Sequence, residues 1–355
     1  MKRLTLFSLI VLGALLLSAC ATSTTSSWPG LAADADRAYL ASGSFVYGVR
    51  LSDGTKLWQY PDKAGPQHYY SSPTVTADGQ VLVGSAGSDF GLISLDGTTG
   101  AAKWPVPFAG LDRWVAAPLA AGSTVYAANN NGMLYALSLA DGSKQWSLKL
   151  GGEMWGQPAT NGKLVFVNSL DHNLYAVDPT AQKVAWKLDL GGAAPSAPLV
   201  SADGNTVYTG SFGKKVFAVD AATGAVRWTA ATKDWVWGSP VLAGNNLFAA
   251  DISGNIYSFG MADGKDAGPV LQPDGPITGS PVALASGVVV VGTESGSVVA
   301  YDQTGTKSWD VTVGGKIYTT PVAGGSLIAV APLSTDFLLA GVSQDGKLTW
   351  KFTGK

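Results

Sequence analysis

The chain has 355 residues, of which only 14% are charged, and its 23 Lys and Arg against 25 Asp and Glu give a formal net charge of −2. A single cysteine excludes a disulfide framework and thiol catalysis, and the lack of any basic run or stripe argues against nucleic acid as a partner. Forty-five glycines and eighteen prolines suit a fold with many tight turns.

The N-terminus begins with basic Lys2 and Arg3, then an apolar run from Leu4 to Leu17 that is too short and too near the terminus for an ordinary membrane span. It ends in Leu17-Ser18-Ala19-Cys20, which resembles the bacterial lipobox. That resemblance implies a signal peptide over residues 1–19, a lipidated Cys20 as the mature N-terminus, and a small polar tether over residues 20–27. The expected location is extracytoplasmic, lipid-anchored to a bacterial membrane (the outer face of the cytoplasmic membrane or the outer membrane). Loss of Lys2 and Arg3 leaves 21 basic against 25 acidic residues, a net charge of −4.

Residues 28–355 read as one repeat domain. Trp58, Trp104, Trp146, Trp186, Trp228, Trp309 and Trp350 recur at steps of 40 to 46, except for one step of 81 that hides a missing member near Gly268. Each unit opens with a proline (Pro29, Pro73, Pro118, Pro158, Pro198, Pro240, Pro281, Pro321), which suits the first residue of a strand because no ladder donor is lost. An apolar run follows. A period-2 strand then carries a small residue about ten before the tryptophan: Gly48, Ser94, Ala136, Ala176, Ala218, Ser258, Ala300 and Ala340. A small residue at a fixed place implies that something bulky packs over it, and the tryptophan of the same or a neighbouring unit is the candidate. Four residues before the tryptophan stands a hairpin glycine: Gly54, Gly100, Gly142, Gly224, Gly264, Gly305 or Gly346, with Gln182 breaking the series.

Four short antiparallel strands per unit make a propeller blade, and no stretch of the mature chain shows capped helical periodicity. The expected fold is therefore all-β, an eight-bladed β-propeller of four-stranded antiparallel blades; seven blades is the alternative, if the first unit patches the last. Burying each tryptophan hides about 200 Å², worth up to about 5 kcal/mol, so these seven residues are expected to dock neighbouring blades. The sixth blade, with Gly268 for tryptophan, is expected to be the loosest, its slot filled by Val270 or Leu271.

The segment Val216-Phe217-Ala218-Val219-Asp220-Ala221-Ala222-Thr223-Gly224-Ala225-Val226-Arg227-Trp228 resembles the pyrroloquinoline-quinone-type propeller repeat, and the resemblance runs from Pro29 to Trp350. One branch of that family, the quinoprotein dehydrogenases, implies a quinone on the axis, a vicinal cysteine disulfide and a calcium site. Here there is no second cysteine, and Asp112, Glu153, Asp234 and Glu294 are scattered along the chain. No catalytic residue, metal or cofactor is therefore expected, neither PQQ nor calcium. The other branch, non-catalytic lipoproteins similar to the propeller subunit of the outer-membrane β-barrel assembly machinery, matches length and lipobox better. It implies a scaffold with a protein partner in the envelope. A glycan-binding surface lipoprotein is the alternative, and a degenerate dehydrogenase the third.

A propeller binds at the ring mouth, on the loops that precede each strand-opening proline. Five residues before it stand His68, Arg113, Glu153, Trp235 and Lys316; three before it stand Tyr70, Trp155, Trp237 and Tyr318. In extended approaches both positions point the same way. With Trp114 beside Arg113, these form the expected binding face. Rigid aromatics near arginine suit a peptide segment or a sugar. The two histidines, His68 and His172, lie in different units without the spacing of a zinc site.

Overall fold

The computed structural model describes residues 28–355; the expected signal peptide, the lipidated Cys20 and the tether 20–27 lie outside the described residues. Among the described residues there is no helix, and the strands form eight antiparallel sheets, seven of four strands and one of three. Each sheet uses consecutive strands, so the fold is an eight-bladed β-propeller. Gly30–Ala33 pairs with Arg37–Ser42 inside its own blade, which rules out the alternative in which the first unit patches the last. Contacts of Gly30–Ala33 with Val322–Gly324 and with Thr74–Val75 place the first strand of each blade innermost, around the axis.

All eight prolines immediately precede an innermost strand, as in Pro198 before Leu199–Val200 and Pro240 before Val241–Ala243. The small residue faces the tryptophan of its own unit across the outer strand pair: Gly48 opposes Trp58, Ala136 opposes Trp146, Ala176 opposes Trp186, Ala218 opposes Trp228 and Ala300 opposes Trp309. The approach is close enough that a Cβ on Gly48 would lie 2.3 Å from the Trp58 ring. In the eighth blade the expected partner, Ala340, is off by one: it pairs with Lys351, and Gly341 opposes Trp350. That hairpin is one residue shorter than most, which moves the register by one and turns the neighbouring residue toward the ring.

Each tryptophan also reaches the next blade. In six of the seven the indole N–H donates to a carbonyl in that blade's outer hairpin: Trp58 to Gly97 (2.9 Å), Trp104 to Leu139 (2.9 Å), Trp186 to Ala221 (3.1 Å), Trp228 to Met261 (3.0 Å) and Trp309 to Gln344 (2.9 Å). Trp350 donates to Leu51 (2.6 Å) and so joins the last blade to the first. The hairpin glycine lies flat on the incoming ring. At Gly100 the φ is +73°, and a Cβ would meet Trp58 at 2.7 Å, so both backbone sign and space call for glycine.

One seam departs from this pattern. Trp146 makes no such hydrogen bond among the described residues, and the hairpin it should meet carries Gln182, which is held at φ +52°. A side chain at positive φ is strained, and its Cβ occupies the space the ring takes elsewhere. Gln182→Gly is therefore expected to stabilise the protein by about 1 kcal/mol, seen as a higher melting temperature. An unchanged or lower melting temperature would show that the seam is already relaxed.

The sixth blade is the three-stranded sheet, Val241–Ala243, Asn246–Ala250 and Ile256–Gly260. Only isolated bridges, Phe259 to Asp266 and Ile256 to Leu271, stand where the outer strand would run. Leu271 is 9% exposed and packs on Val289, Val291, Val299 and Tyr301 of the seventh blade, and with Pro269 it lies against Gly305. Leu271 thus fills the vacant tryptophan slot, while Val270 turns outward at 43% exposure. The shorter ladder predicts the weakest amide protection in the ring over residues 265–271 by hydrogen exchange. Protection equal to the outer strands of the other blades would contradict this.

Candidate functional site

The loops before the innermost strands alternate strictly. The residue four before each of the last seven blade-opening prolines is buried: Tyr69, Trp114, Met154, Ala194, Val236, Ile277 and Ile317 are all at 3% exposure or less. Several press on a small residue at the end of the second strand: a Cβ on Gly84 would lie 2.2 Å from Trp114, and one on Gly210 would lie 2.2 Å from Val236. This corrects the expectation for Trp114. It is 1% exposed, packs against Phe108 and Tyr135, and donates its indole N–H to the Phe90 carbonyl at 2.6 Å. It belongs to the core between the second and third blades.

With the position between them turned inward, the flanking positions face the axis or the rim. Tyr70, Trp155, Trp237 and Tyr318 line a central cavity of about 330 Å³, together with Val115, Pro195 and Thr278 from the remaining loops. The residue two before the proline is glycine at Gly156, Gly238 and Gly279, where the next loop's backbone crosses it. A Cβ on Gly156 would lie 2.2 Å from the Ser196 carbonyl, and one on Gly279 would lie 2.8 Å from that of Thr319. Polar links between blades tie the throat together: Ser71 Oγ donates to the Ala116 carbonyl, the Ser239 N–H to Ser280 Oγ, and the Ser280 N–H to Thr320 Oγ1.

The outer set surrounds this cavity without lining it. His68 stacks on Tyr70 at 6.0 Å. Glu153 accepts hydrogen bonds from Trp155 Nε1 (3.0 Å) and Asn130 Nδ2 (3.1 Å), which fixes the indole at the mouth. Arg113 is exposed beside Asp112. Lys316 borders a side cleft with Tyr318 and Trp28. Trp235 lies on Phe212, ring centroids 4.8 Å apart, and remains 43% exposed. Asp234 beside it is held below the usual carboxylate range by the Ser253 hydroxyl and the Trp235 N–H, with Lys214 adding to both, so it is ionised and pins the Trp235 backbone.

Two mouth aromatics escape the repeat-based reading. Trp28, directly before Pro29, stacks on Tyr318 at 5.4 Å and meets Trp237 edge-on at 5.6 Å. The corresponding positions in the other units hold Ser72, Ala117, Gln157, Ala197, Ser239, Ser280 and Thr320, so a large residue before the first proline was a visible signal. Phe212 comes from the hairpin between Thr206–Ser211 and Lys215–Asp220 and touches both Trp235 and Trp237. The result is a continuous aromatic row, Trp235, Phe212, Trp237, Trp28 and Tyr318, with Trp155 at 6.4 Å from Trp237.

Comparison with known proteins agrees with this architecture. The ring superposes on the crystal structure of BamB from Moraxella catarrhalis with a TM-score of 0.73 at 18% identity, over 85% of this chain and 92% of that one. It also superposes on the computationally designed Ika8 protein with a TM-score of 0.75 at 14% identity, over 93% and 96%; at such identities the likeness is one of fold. In sequence, the chain is 26% identical over 233 residues to the outer membrane protein assembly factor BamB of Burkholderia pseudomallei, and 24% identical over 237 residues to that of Yersinia pestis. The matches cover 66% and 59% of this chain and only 58% and 59% of those relatives. The family model for outer membrane protein assembly factor BamB matches residues 13–188, 171–267 and 254–355. With nearly the whole chain matched, this protein belongs to the outer membrane protein assembly factor BamB family.

Proposed function

We propose that the protein is a non-catalytic propeller scaffold in envelope protein assembly, held outside the cytoplasm by a lipid on Cys20 and engaging a protein partner. The observation that carries this reading is the match of the BamB family model along almost the full propeller. The mouth supports it: rigid aromatics are locked in place by core packing and hydrogen bonds, as at protein-binding hot spots. We place the binding face on this side of the ring, with Tyr70, Trp155, Trp237 and Tyr318 at the cavity and His68, Arg113, Glu153, Trp235 and Lys316 around it. The blade-docking tryptophans serve the scaffold and leave the mouth free for this role.

Gentle solubilisation of the lipidated protein from its own cells, followed by affinity isolation and mass spectrometry, tests the proposal. An outer-membrane assembly protein should co-purify with the native chain and be lost with Cys20→Ser. Isolation of the native chain without any such protein would overturn it.

A further inference from the structure

We propose that the central cavity of the mouth receives an uncharged, proline-bearing, extended segment of the protein partner, while the charged rim positions hold the chain on either side of it. This inference rests on the reading of the mouth as the partner-binding face and names what that face recognises.

The cavity, of about 330 Å³, is lined by no charged side chain among the described residues. Its volume is at the low end of ligand pockets, which run from about 300 to 1,000 Å³, so it admits a length of chain rather than a folded element. The polar groups of the throat are spent on one another. Gln157 Nε2 donates to the Pro118 carbonyl (2.7 Å) and to Thr74 Oγ1 (3.1 Å). Thr278 Oγ1 donates to the Tyr318 carbonyl (3.3 Å), as Ser71 Oγ does to that of Ala116 (3.0 Å). A charged group entering here would lose its hydration with nothing to replace it, and a backbone N–H would find these carbonyls engaged. A sugar meets the same difficulty at every hydroxyl, which decides against a glycan.

What the cavity does offer is aromatic faces and indole donors. Trp28 lies parallel to Tyr318 but meets Trp237 at 62°, and Trp155 is inclined to Trp237 at 48°. Inclined rings leave notches that suit a small rigid ring. The Trp155 N–H is held by Glu153, whereas those of Trp28 and Trp237 have no acceptor among the described residues and can donate to an entering chain. Proline answers both features. Its ring packs on aromatic faces, and it has no N–H to leave unpaired. A polyproline helix is extended before it binds and keeps its carbonyls free of internal hydrogen bonds, so they can accept from the indoles at little entropic cost. Proline-rich segments dock in aromatic-lined grooves on this principle. Around the cavity, Arg113, Glu153 and Lys316 give both signs of charge for the flanking residues.

The test has two arms, both on the full chain. In detergent micelles, a fluorescently labelled decaproline peptide should bind saturably by anisotropy, and a Gly-Ser decapeptide should not. Trp28→Ala with Trp237→Ala should weaken decaproline binding at least tenfold while the circular dichroism stays native. No binding of decaproline, equal binding of the two peptides, undiminished binding by the double variant, or binding of maltohexaose in its place would overturn the proposal. In intact cells, a diazirine-bearing aliphatic residue in place of Val115, inside the cavity, should capture a proline-bearing segment of the partner, located by mass spectrometry of the adduct. Adducts from a photoreactive residue at Arg113 or Lys316 with none from position 115, or a captured segment without proline, would refute the insertion and leave the binding face standing. Adducts from none of the three would refute both.

Discussion

Trp104→Ala is expected to cost about 3–5 kcal/mol of unfolding free energy, the range for removing a fully buried large aromatic. The side chain is 4% exposed and lies among Leu82, Leu92, Val125, Tyr135 and Leu137 of two adjoining blades. Its indole N–H satisfies the Leu139 carbonyl, and its ring lies against Gly142, where a Cβ would come within 2.6 Å. Deletion therefore leaves a cavity, an unpaired carbonyl and a hairpin with nothing beneath it, three penalties at one seam. Chemical denaturation should show a single shifted transition, since the chain itself still links the second and third blades. A loss below about 1 kcal/mol would mean that the blades hold together by other contacts.

Trp350→Ala is expected to cost about 3 kcal/mol and to fail differently. Trp350 donates to Leu51 and covers Gly54, where a Cβ would lie 2.6 Å from its ring. It serves the closure between the eighth and first blades, which no connecting loop spans and no strand is shared across. Here Leu31, Leu40, Val49 and Leu51 meet Ala329, Leu339 and Phe352 in one apolar cluster, which the variant would leave partly exposed. Hydrogen exchange should then rise in both end blades while the third to fifth keep their protection. The same exchange pattern as Trp104→Ala would show that the closure is no weaker than the covalently linked seams.

The repeats made most of the fold legible, because each blade states the same rule again. Prolines marked the innermost strands, and the tryptophans marked the seams with their glycine hairpins. Where a unit departs from the rule, the sequence reading lost its footing. In the eighth blade, a hairpin one residue shorter put Gly341 rather than Ala340 opposite Trp350, and only the pairing register shows it. In the sixth blade Leu271, one of the two residues expected there, does fill the slot left by Gly268, but through an irregular outer edge that no period predicts.

The mouth was less legible than the ring, for the same reason. Parity along the loops grouped the positions five and three before each proline, yet only the latter line the cavity, and Trp114, at the buried position between them, was grouped with its exposed neighbours. Trp28 and Phe212 occur once each and have no counterpart in other blades to announce them. Their meeting with Trp237 depends on closing the ring, which brings residues 28, 212, 237 and 318 to one place. A unique residue in a repetitive chain is the place to look for function, since the fold alone does not require it.

The central claim, that this face of the propeller is where the scaffold meets its protein partner, is tested most directly by photo-crosslinking in intact cells. A photoreactive amino acid at Arg113 or Lys316, on the exposed rim of the mouth, should form adducts with an outer-membrane assembly protein, and one at Ala222 on the opposite hairpins should form none. Adducts to that protein from position 222 alone, or from none of the three sites, would contradict the account.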